Sequence, residues 1–422
     1  MKILFVHQNF PGQFKHLARV LASDSRNQVV FLTKNSNYDI PGVKKVLHKP
    51  AREAGKQTHP YVTGMETAVL FGQSTVRQAI ELKRRGFNPD VVVGHCGWGE
   101  TIFIKDVWPD TPLLNYYEFF YRAKGADIGF DPTVAVEIDD VLRMRVRNAV
   151  NMLCLEAGDW GISPTKWQHS LYPEEYKPTI SVIHEGVDTD LLRPDPTVRF
   201  TLPNGKTVGR DDEIVTYISR NLEPYRGFHI YVKALQEMMI RRPKAQFILI
   251  GGDDVSYGRR PKDGKNWREV LMKEVEVDND RVHFVGRVPY ADFTKIMQVS
   301  SVHVYLTYPF VLSWSVLEAM SMGCCLVASN TAPVQEVITD GENGFLVDFF
   351  SPAQIADKVD EVLDDPEQMA HIRERAREFI VQSYDLHRIC LPSQLAVIQA
   401  LIEGKKPPQL ALPPAREVLL SK

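Results

Sequence analysis

Long apolar runs are missing from this sequence. No stretch approaches the roughly 20 apolar residues that a membrane-spanning helix needs, so we expect any membrane contact to be peripheral. The amino terminus enters a strand pattern directly, without a basic segment followed by a long apolar stretch, which argues against a secretory signal. We therefore predict a cytoplasmic protein that touches the inner face of the membrane at most peripherally.

Cysteines are few, and neither sign of charge is in large excess. The five cysteines form an odd set without C-x-x-C spacing, which argues against a disulfide framework or a structural zinc site. The formal net charge is -3, which does not favour a nucleic-acid binder held by bulk electrostatics. We expect reduced, packed thiols, no metal site and no nucleic-acid partner.

The G-x-G-x-x-G pattern of dinucleotide-binding folds is also missing from the opening of the chain, although the surrounding elements fit such a fold. The residue pattern predicts a buried strand over 2–7, a loop over 8–13, a helix over 14–22 and a second strand over 28–32. Gly12 lies where the backbone must approach another group closely, and a helix-entry turn and a ligand contact both remain open. This opening predicts a Rossmann-like domain.

Length and composition allow two domains. The chain has 422 residues, of which 44% are hydrophobic, so it can bury two cores of ordinary size. The prolines at Pro194 and Pro196 mark a linker. We predict an α/β fold with domains over 1–193 and 194–386, and a helix within about 387–422 that packs back on the first domain. The tail PPQLALPPAR is expected to be extended or disordered.

The stretch that reads VYLTYPFVLSWSVLEAM predicts a phosphate-binding βαβ unit. It combines a buried strand over 302–306, a loop, a helix that starts near Ser313, and a second strand over 324–328. Free backbone N–H groups and the positive end of the helix dipole bind anions there, and small side chains at Ser313 and Ser315 permit close approach. Glu318 can accept hydrogen bonds from sugar hydroxyls, or it can be an ordinary polar residue on a half-exposed helix.

This stretch resembles the carboxy-terminal signature of the family 4 retaining glycosyltransferases, the glycosyl transferases group 1. In that signature two Glu residues separated by seven positions flank a phosphate-binding helix start, and the second lies in a Leu-Glu-Ala-Met run. The resemblance implies that Glu318 binds the ribose of a nucleotide-sugar. The first Glu is missing, because Phe310 occupies its position and no Asp or Glu occurs between Asp292 and Glu318. The signature therefore does not identify the donor sugar.

The resemblance implies the GT-B architecture, in which two Rossmann-like domains face a cleft and each has a parallel sheet with helices on both faces. The first domain would bind the acceptor and the second the nucleotide-sugar. Transfer would retain the anomeric configuration without a metal or cofactor, and the leaving phosphate would take the acceptor proton. The donor-binding residues that we predict on this basis are Gly12, Arg287, Phe310, Ser313, Trp314, Ser315 and Glu318.

Arg220 and Arg226 lie six positions apart on the loop after the first strand of the second domain, where relatives carry Gly-Arg and Lys-Gly. Loop arginines are usually solvated. However, cleavage of a sugar-diphosphate bond builds negative charge that a fixed guanidinium stabilises without a metal. We predict both residues as catalytic. We do not expect Asp253 and Asp254 to bind a metal, because acidic pairs after a glycine turn commonly cap or end secondary-structure elements.

In the first domain, His95 ends a buried strand over 90–95. The carboxyl ends of parallel strands face the ligand crevice, and relatives carry a His at the matching position, so His95 is the third predicted catalytic residue. A further strand is predicted over 113–121. It carries Tyr117 and Glu118, where many relatives have a His-Asp or His-Glu pair. We predict both as acceptor-binding residues, although the surrounding aromatic cluster could equally be a packed wall.

These residues predict a metal-independent retaining hexosyl- or pentosyltransferase. It would move a sugar from a nucleotide-diphosphate sugar to a glycan, lipid-linked or small-molecule acceptor. Two alternatives remain open. A nucleotide-sugar epimerase of the same architecture would need carboxylates around the sugar, which the region of Phe310 lacks. A non-catalytic nucleotide-sugar-binding subunit would account for the missing first Glu, but the presence of Arg220, Arg226 and Glu318 argues against complete loss of activity.

Overall fold

The computed structural model describes residues 1–35 and 38–409. They form two compact units, one of Met1–Gly186 with the described residues from Leu386 onward, and one of Val187–Asp385. Of the predicted tail PPQLALPPAR, residues 407–409 are described: Ser181 Oγ donates to the Pro408 carbonyl at 2.8 Å, and Gln409 Nε2 donates to the Pro178 carbonyl at 2.6 Å. The rest of the tail lies outside the described residues.

Residues 187–193, which the sequence analysis gave to the first domain, cluster with the second unit. Their backbone carbonyls are bound by side chains of that unit. Ser321 Oγ donates to the Leu192 carbonyl at 2.6 Å, and Arg377 donates to the Thr189 carbonyl at 3.1 Å. The boundary between the units therefore lies at Gly186, before the prolines that suggested a linker.

The first unit contains a parallel seven-stranded sheet within the described residues. Its strands are Lys2–Val6 (β1), Gln28–Thr33 (β2), Val43–Leu47 (β3), Val91–His95 (β4), Leu113–Tyr116 (β5), Trp160–Ser163 (β6) and Ile180–Val182 (β7). The order β3-β2-β1-β4-β5-β6-β7 reverses direction between β1 and β4, which is the switch point where ligands bind in such sheets. The edge strand β3 was not predicted, because its lysines, typical of protected edges, make it read as polar loop.

Alternate residues of these strands bury the two faces of the sheet. The helices before the second unit are Lys15–Ser23 (α1), Thr63–Arg84 (α2), Ile104–Val107 (α3), Ile138–Arg147 (α4), Ala149–Ala157 (α5) and Lys166–Ser170 (α6). Phe5 and Phe31 pack on the face that α1 covers, whereas Leu4 and Val30 pack on the face that α2 and α3 cover. Strand alternation thus produces the predicted layers with helices on both faces.

The predicted strand over 113–121 is too long, because β5 ends at Tyr116. Beyond that point side-chain amides replace the sheet hydrogen bonds. The Tyr121 N–H donates to Asn148 Oδ1 at 2.9 Å, and Asn148 Nδ2 donates to the Tyr121 carbonyl at 2.7 Å. Asn151 Nδ2 donates likewise to the Phe119 carbonyl at 3.1 Å. The aromatic residues that suggested a strand therefore form a non-regular segment held by α5 and its N-cap residue.

The second unit repeats this plan. After a short antiparallel pair, Phe200–Thr201 (β8) and Thr207–Val208 (β9), its parallel strands are Ile214–Asn221 (β10), Gln246–Gly252 (β11), Val282–Gly286 (β12), Val302–Tyr305 (β13), Cys325–Ser329 (β14) and Phe345–Val347 (β15). Their order, β12-β11-β10-β13-β14-β15, places the switch point between β10 and β13.

The helices of the second unit are Phe228–Arg241 (α7), Trp267–Leu271 (α8), Tyr290–Val299 (α9), Trp314–Ser321 (α10), Ala332–Gln335 (α11), Pro352–Asp364 (α12) and Ala370–Ser383 (α13). The last helix, Leu391–Ile402 (α14), belongs to the first unit. Its Val397 and Ile398 join the core beside α1, and Gln394 donates to the His184 carbonyl at 2.9 Å. Among the described residues, no helix combines the length and apolarity needed to cross a membrane.

Candidate functional site

A pocket of about 410 Å³ opens at the switch point of the second unit. It is lined by Ser219, Arg220, Ile250, Gly251, Arg287, Val288, Tyr290, Phe293 and Glu318. The lining residues come from the carboxyl ends of β10 and β11, the loop after β12, the start of α9 and the body of α10. Arg220, Arg287 and Glu318, which were predicted from separate motifs, therefore meet in one pocket with two cations and one carboxylate.

Glu318 is already hydrogen-bonded within this pocket. The Tyr290 hydroxyl donates to Glu318 Oε1 at 2.8 Å. Burial and the neighbouring Glu318 carboxylate raise the pKa of Tyr290, so the phenol keeps its proton at neutral pH. The sequence does not identify Tyr290 as a site residue, because its position at the first residue of a helix carries no motif.

Arg287 is held by a polar network at the pocket wall. Its Nη2 donates to Asn221 Oδ1 at 2.9 Å, and Asn221 Nδ2 donates to Ser256 Oγ at 2.7 Å. Arg220, by contrast, is exposed to solvent beside the pocket. One of the two lining guanidinium groups is thus fixed within the unit, while the other is on the surface.

Arg226 does not line this pocket. Only 5% of it is exposed, and its Nη1 donates to Tyr305 OH at 3.2 Å, Thr307 Oγ1 at 2.7 Å and the Val311 carbonyl at 3.0 Å. Its guanidinium also lies 5.2 Å from the centre of the Tyr257 ring. Arg226 is therefore separate from Arg220, and its hydrogen bonds hold it beneath the loop that precedes α10.

Phe310 lies in an aromatic cluster around Arg226. It is 8% exposed, and its ring packs edge-on against Tyr225 at 5.7 Å and tilted against Tyr257 at 5.1 Å. Tyr225 also stacks on Tyr308 at 4.8 Å. At the position where the family signature has a carboxylate, this chain therefore has a buried apolar ring.

A carboxylate missed by the sequence analysis supports this cluster. Glu223 is fully buried, and it accepts hydrogen bonds from the backbone N–H groups of Ser256 at 2.9 Å, Tyr257 at 3.2 Å and Gly258 at 2.8 Å. These bonds hold the loop that carries Tyr257. Glu223 directly precedes a short helical turn and gave no signal, because the loop that it binds is distant in sequence.

The start of α10 has the geometry that the sequence predicted. Ser313 is its N-cap residue, with its side chain accepting from the Ser315 N–H at 3.4 Å and its Oγ 2.9 Å from Ser315 Oγ. The Ser313 N–H donates to Tyr305 OH at 2.9 Å, which ties the helix start to Arg226 through a shared partner. Trp314, the first helical residue, is 47% exposed.

In the first unit, His95 ends β4 at the switch point. It is 1% exposed, and its ring stacks on Trp98 at 4.5 Å and on Tyr116 at 5.3 Å. The Gly97 N–H donates to His95 Nδ1 at 3.0 Å, so the neutral ring carries its proton on Nε2. That nitrogen lies 3.6 Å from Glu118 Oε2 and has no hydrogen-bond partner among the described residues.

A second histidine, His7, approaches the same carboxylate through an amide. The Asn9 N–H donates to His7 Nδ1 at 2.8 Å, which leaves the proton of neutral His7 on Nε2 to donate to Gln13 Oε1 at 2.6 Å. Gln13 Nε2 then donates to Glu118 Oε1 at 3.1 Å. Burial, and then the neighbouring His95, lower the pKa of His7 well below its usual value, so this ring is neutral. Gln13 therefore links His7 to Glu118, whose side chain is 36% exposed.

Gly12 and Tyr117 have packing contacts in this unit. Gly12 adopts a φ of +52°, and a Cβ there would lie 2.4 Å from His7 Nε2, so glycine is required next to the histidine. Tyr117 is buried, and its hydroxyl donates to the Cys154 carbonyl at 2.9 Å. Of the two predicted acceptor residues, only Glu118 is accessible; Tyr117 belongs to the packed wall that was the alternative.

The acidic pair that follows β11 is bound by arginines. Asp253 accepts from Arg268 at 2.7 Å, and Asp254 pairs with Arg260. Within residues 1–35 and 38–409, no group of three or more His, Cys, Asp or Glu side chains is arranged to hold a metal ion.

Two family models match the chain. Residues 25–192 match the glycosyl transferase family 4 group, and residues 203–379 match the glycosyl transferases group 1. The D-inositol 3-phosphate glycosyltransferase of Corynebacterium efficiens is 26% identical over 305 residues, which cover 70% of this chain and 68% of that protein. Across the similar enzymes of this genus, the matched part spans about two thirds of their length.

Solved structures share the fold. The sucrose-phosphate synthase of Thermosynechococcus elongatus aligns with a TM-score of 0.70 at 19% identity, over 96% of this chain and 100% of that one. Anabaena Alr3699/HepE in complex with UDP aligns with a TM-score of 0.64 at 18% identity, over 94% of this chain and 98% of that one. The two family models together cover most of the chain and coincide with its two Rossmann-like units. The chain therefore belongs to the glycosyl transferases group 1, a family of glycosyltransferases with the GT-B fold.

Proposed function

We propose that this chain is a retaining glycosyltransferase that moves a sugar from a nucleotide-diphosphate sugar to a hydroxylated acceptor without a metal. The observation that carries this proposal is the pocket at the switch point of the second unit, which combines Arg220, Arg287 and Glu318. Two guanidinium groups match a diphosphate, and a carboxylate matches ribose hydroxyls. We therefore assign donor binding to the second unit and acceptor binding to the first.

The chemical task of the second unit is to stabilise a leaving diphosphate. Negative charge on the phosphates grows as the sugar bond breaks, so cations fixed in advance lower the barrier more than they strengthen ground-state binding. Arg287, fixed by Asn221, and the exposed Arg220 are suited to this role. The N-terminus of α10, capped by Ser313, adds backbone N–H groups for the same anion.

Arg226 contributes differently from the direct clamp that the sequence suggested. Its three neutral hydrogen-bond partners fix the loop over 307–313, and its charge lies beneath the start of α10. We propose that this buried charge adds to the positive potential at the donor phosphates, with Phe310 as an apolar wall of the sugar subsite.

On the acceptor side, we assign one hydroxyl to the gap between His95 and Glu118. His95 Nε2–H can donate to that hydroxyl, and Glu118 can accept its proton in a hydrogen bond. The resemblance implies that the proton then passes to the leaving phosphate on the same face of the sugar, which would retain the anomeric configuration. The first unit thus orients the acceptor and holds its proton at a defined atom.

We propose reaction in the cytoplasm, with at most peripheral contact at the inner face of the membrane and with a glycan, lipid-linked or small-molecule acceptor. All five cysteines are buried, and their odd number without C-x-x-C spacing supports a reducing compartment.

The test is a panel of nucleotide-sugars incubated with the full chain, with mass detection of hydrolysis and transfer products, in the presence and absence of EDTA. We expect turnover of at least one donor, unaffected by the chelator. UDP-sugars come first in the panel, because a structural neighbour holds UDP. The second candidate function is a non-catalytic nucleotide-sugar-binding subunit, which the buried Phe310 favours. Binding of a nucleoside diphosphate without turnover of any donor would support that candidate. Inversion of the configuration at a sugar carbon of the donor, without transfer of the sugar, would indicate an epimerase.

A further inference from the structure

Tyr290 and Glu318 form a pair that the family signature does not contain. Tyr290 is the first residue of α9, and Glu318 lies in the body of α10, so the 2.8 Å bond joins two helices across the pocket. The Tyr290 ring stacks on Phe293 one turn later, with centroids 5.5 Å apart and planes 20° apart. The hydroxyl is therefore held by a ring that is itself packed against the pocket wall.

The direction of this hydrogen bond is defined. A phenol that keeps its proton donates, and a carboxylate can only accept. A Glu side chain has three rotatable bonds, so an unrestrained carboxylate would visit many orientations before it met a ligand. A charge-assisted hydrogen bond to Oε1 restricts the carboxylate to fewer orientations and thereby narrows the directions in which its other lone pairs point.

We propose that Tyr290 is a positioning residue that fixes the Glu318 carboxylate for the ribose hydroxyls, so that the pocket selects ribonucleotides over deoxyribonucleotides. This inference rests on the proposed function, since it takes the pocket as the donor site. It goes further by naming the residue that orients the Glu318 carboxylate and thereby sets the selectivity for ribose. Tyr290 acts through Glu318, so its effect must depend on the presence of a ribose hydroxyl.

That dependence gives a measurement that a merely structural role would not reproduce. Calorimetry first selects the tightest binder among UDP, GDP and ADP. Binding of this nucleotide is then compared with that of its 2′-deoxy and 3′-deoxy forms, for the wild type and for Tyr290→Phe. We expect the wild type to prefer the ribonucleotide by about tenfold over the more weakly bound deoxy form, the scale of one lost hydrogen bond to a charged group. In Tyr290→Phe the ribonucleotide should weaken by about fivefold and the deoxy form by less than about twofold.

Tyr61→Phe is the matched control. Tyr61 is another tyrosine whose hydroxyl donates to a carboxylate, that of Asp139, but it lies in the first unit. This variant should leave all the dissociation constants unchanged. In Glu318→Gln, the added Tyr290→Phe substitution should have almost no further effect on ribonucleotide affinity, because the two side chains act as one unit.

Three outcomes would overturn the inference while leaving the proposed function intact. Equal weakening of ribo- and deoxyribonucleotides would make Tyr290 a structural residue. Unchanged affinity for every nucleotide would separate Tyr290 from ribose recognition, and tighter binding by Tyr290→Phe would show that its hydroxyl competes with the ligand. If the wild type bound none of the nucleoside diphosphates, the donor site itself, and with it the proposed function, would be wrong.

Discussion

Glu100 is a carboxyl group whose burial has a measurable effect on stability. It is fully buried, and neither of its oxygens has a hydrogen-bond partner among the described residues. Burial raises its pKa from 4.5 to about 7. Between these values the native protein binds more protons at Glu100 than the unfolded chain does, so this residue makes the fold less stable as the pH rises through that window.

We predict that Glu100→Gln increases the free energy of unfolding at pH 8 by about 3 kcal/mol, the equivalent of this pKa shift, and changes it little at pH 4.5. Denaturant unfolding of both proteins at the two pH values measures the effect. Equal stability of variant and wild type at pH 8 would show that Glu100 is solvated or paired in solution.

Arg226 and Arg220 are the same residue type, but their different burial predicts different effects on stability. Arg226→Met removes a buried cation and leaves the partners of three hydrogen bonds unsatisfied, so we expect unfolding to become easier by about 3 kcal/mol. Arg220→Met alters an exposed side chain and should change stability by less than about 0.5 kcal/mol, yet it should weaken nucleoside-diphosphate binding. Thermal unfolding and calorimetry on both variants test this. If Arg226→Met kept full stability and only lost ligand, the direct clamp predicted from the sequence would be right after all.

At the scale of elements, the start of α10 offers a test of anion binding. Ser313→Ala removes the N-cap side chain and should cost about 1 kcal/mol of stability. It should also weaken nucleoside-diphosphate binding, because the first N–H groups of the helix lose their orientation. Ser351→Ala at the N-cap of α12 is the control: its Oγ accepts from the Gln354 N–H at 3.2 Å, so stability should fall similarly while ligand affinity stays unchanged. Loss of affinity in both variants would indicate a general effect of destabilisation.

The elements also show where local pattern is sufficient. The βαβ unit around α10 was predictable because buried strands, a capping serine and the Leu-Glu-Ala-Met helix all lie within one segment. The end of β5 was not, since Tyr121 is held by Asn148 from another element. The aromatic residues have a high strand propensity. That propensity does not predict a hydrogen bond to a side-chain amide 27 positions away.

At the scale of the whole molecule, the two Rossmann-like units were predictable from the sequence, but the hydrogen-bond networks of their sites were not. His95 and Glu318 follow from strand ends and a motif. Tyr290, Gln13 and Glu223 act through partners distant in sequence, so no local spacing identifies them. The same role was predicted for Arg220 and Arg226, because they are the same residue type and lie six positions apart. In the structure one is exposed at a pocket and the other is buried beneath a loop.

The assignment of donor binding to the second unit predicts where ligand protection will appear in the full chain. A nucleoside diphosphate that binds the folded state stabilises the surrounding backbone by about 2.7 kcal/mol at one hundred times its dissociation constant. Hydrogen exchange with mass detection should therefore slow most in peptides over 219–222, 250–258, 286–293 and 307–320, which contain the pocket and the start of α10. Glu318→Gln should reduce this protection at the same ligand concentration. Protection centred instead on residues 91–121, around His95 and Glu118, would reverse the roles that we assign to the two units.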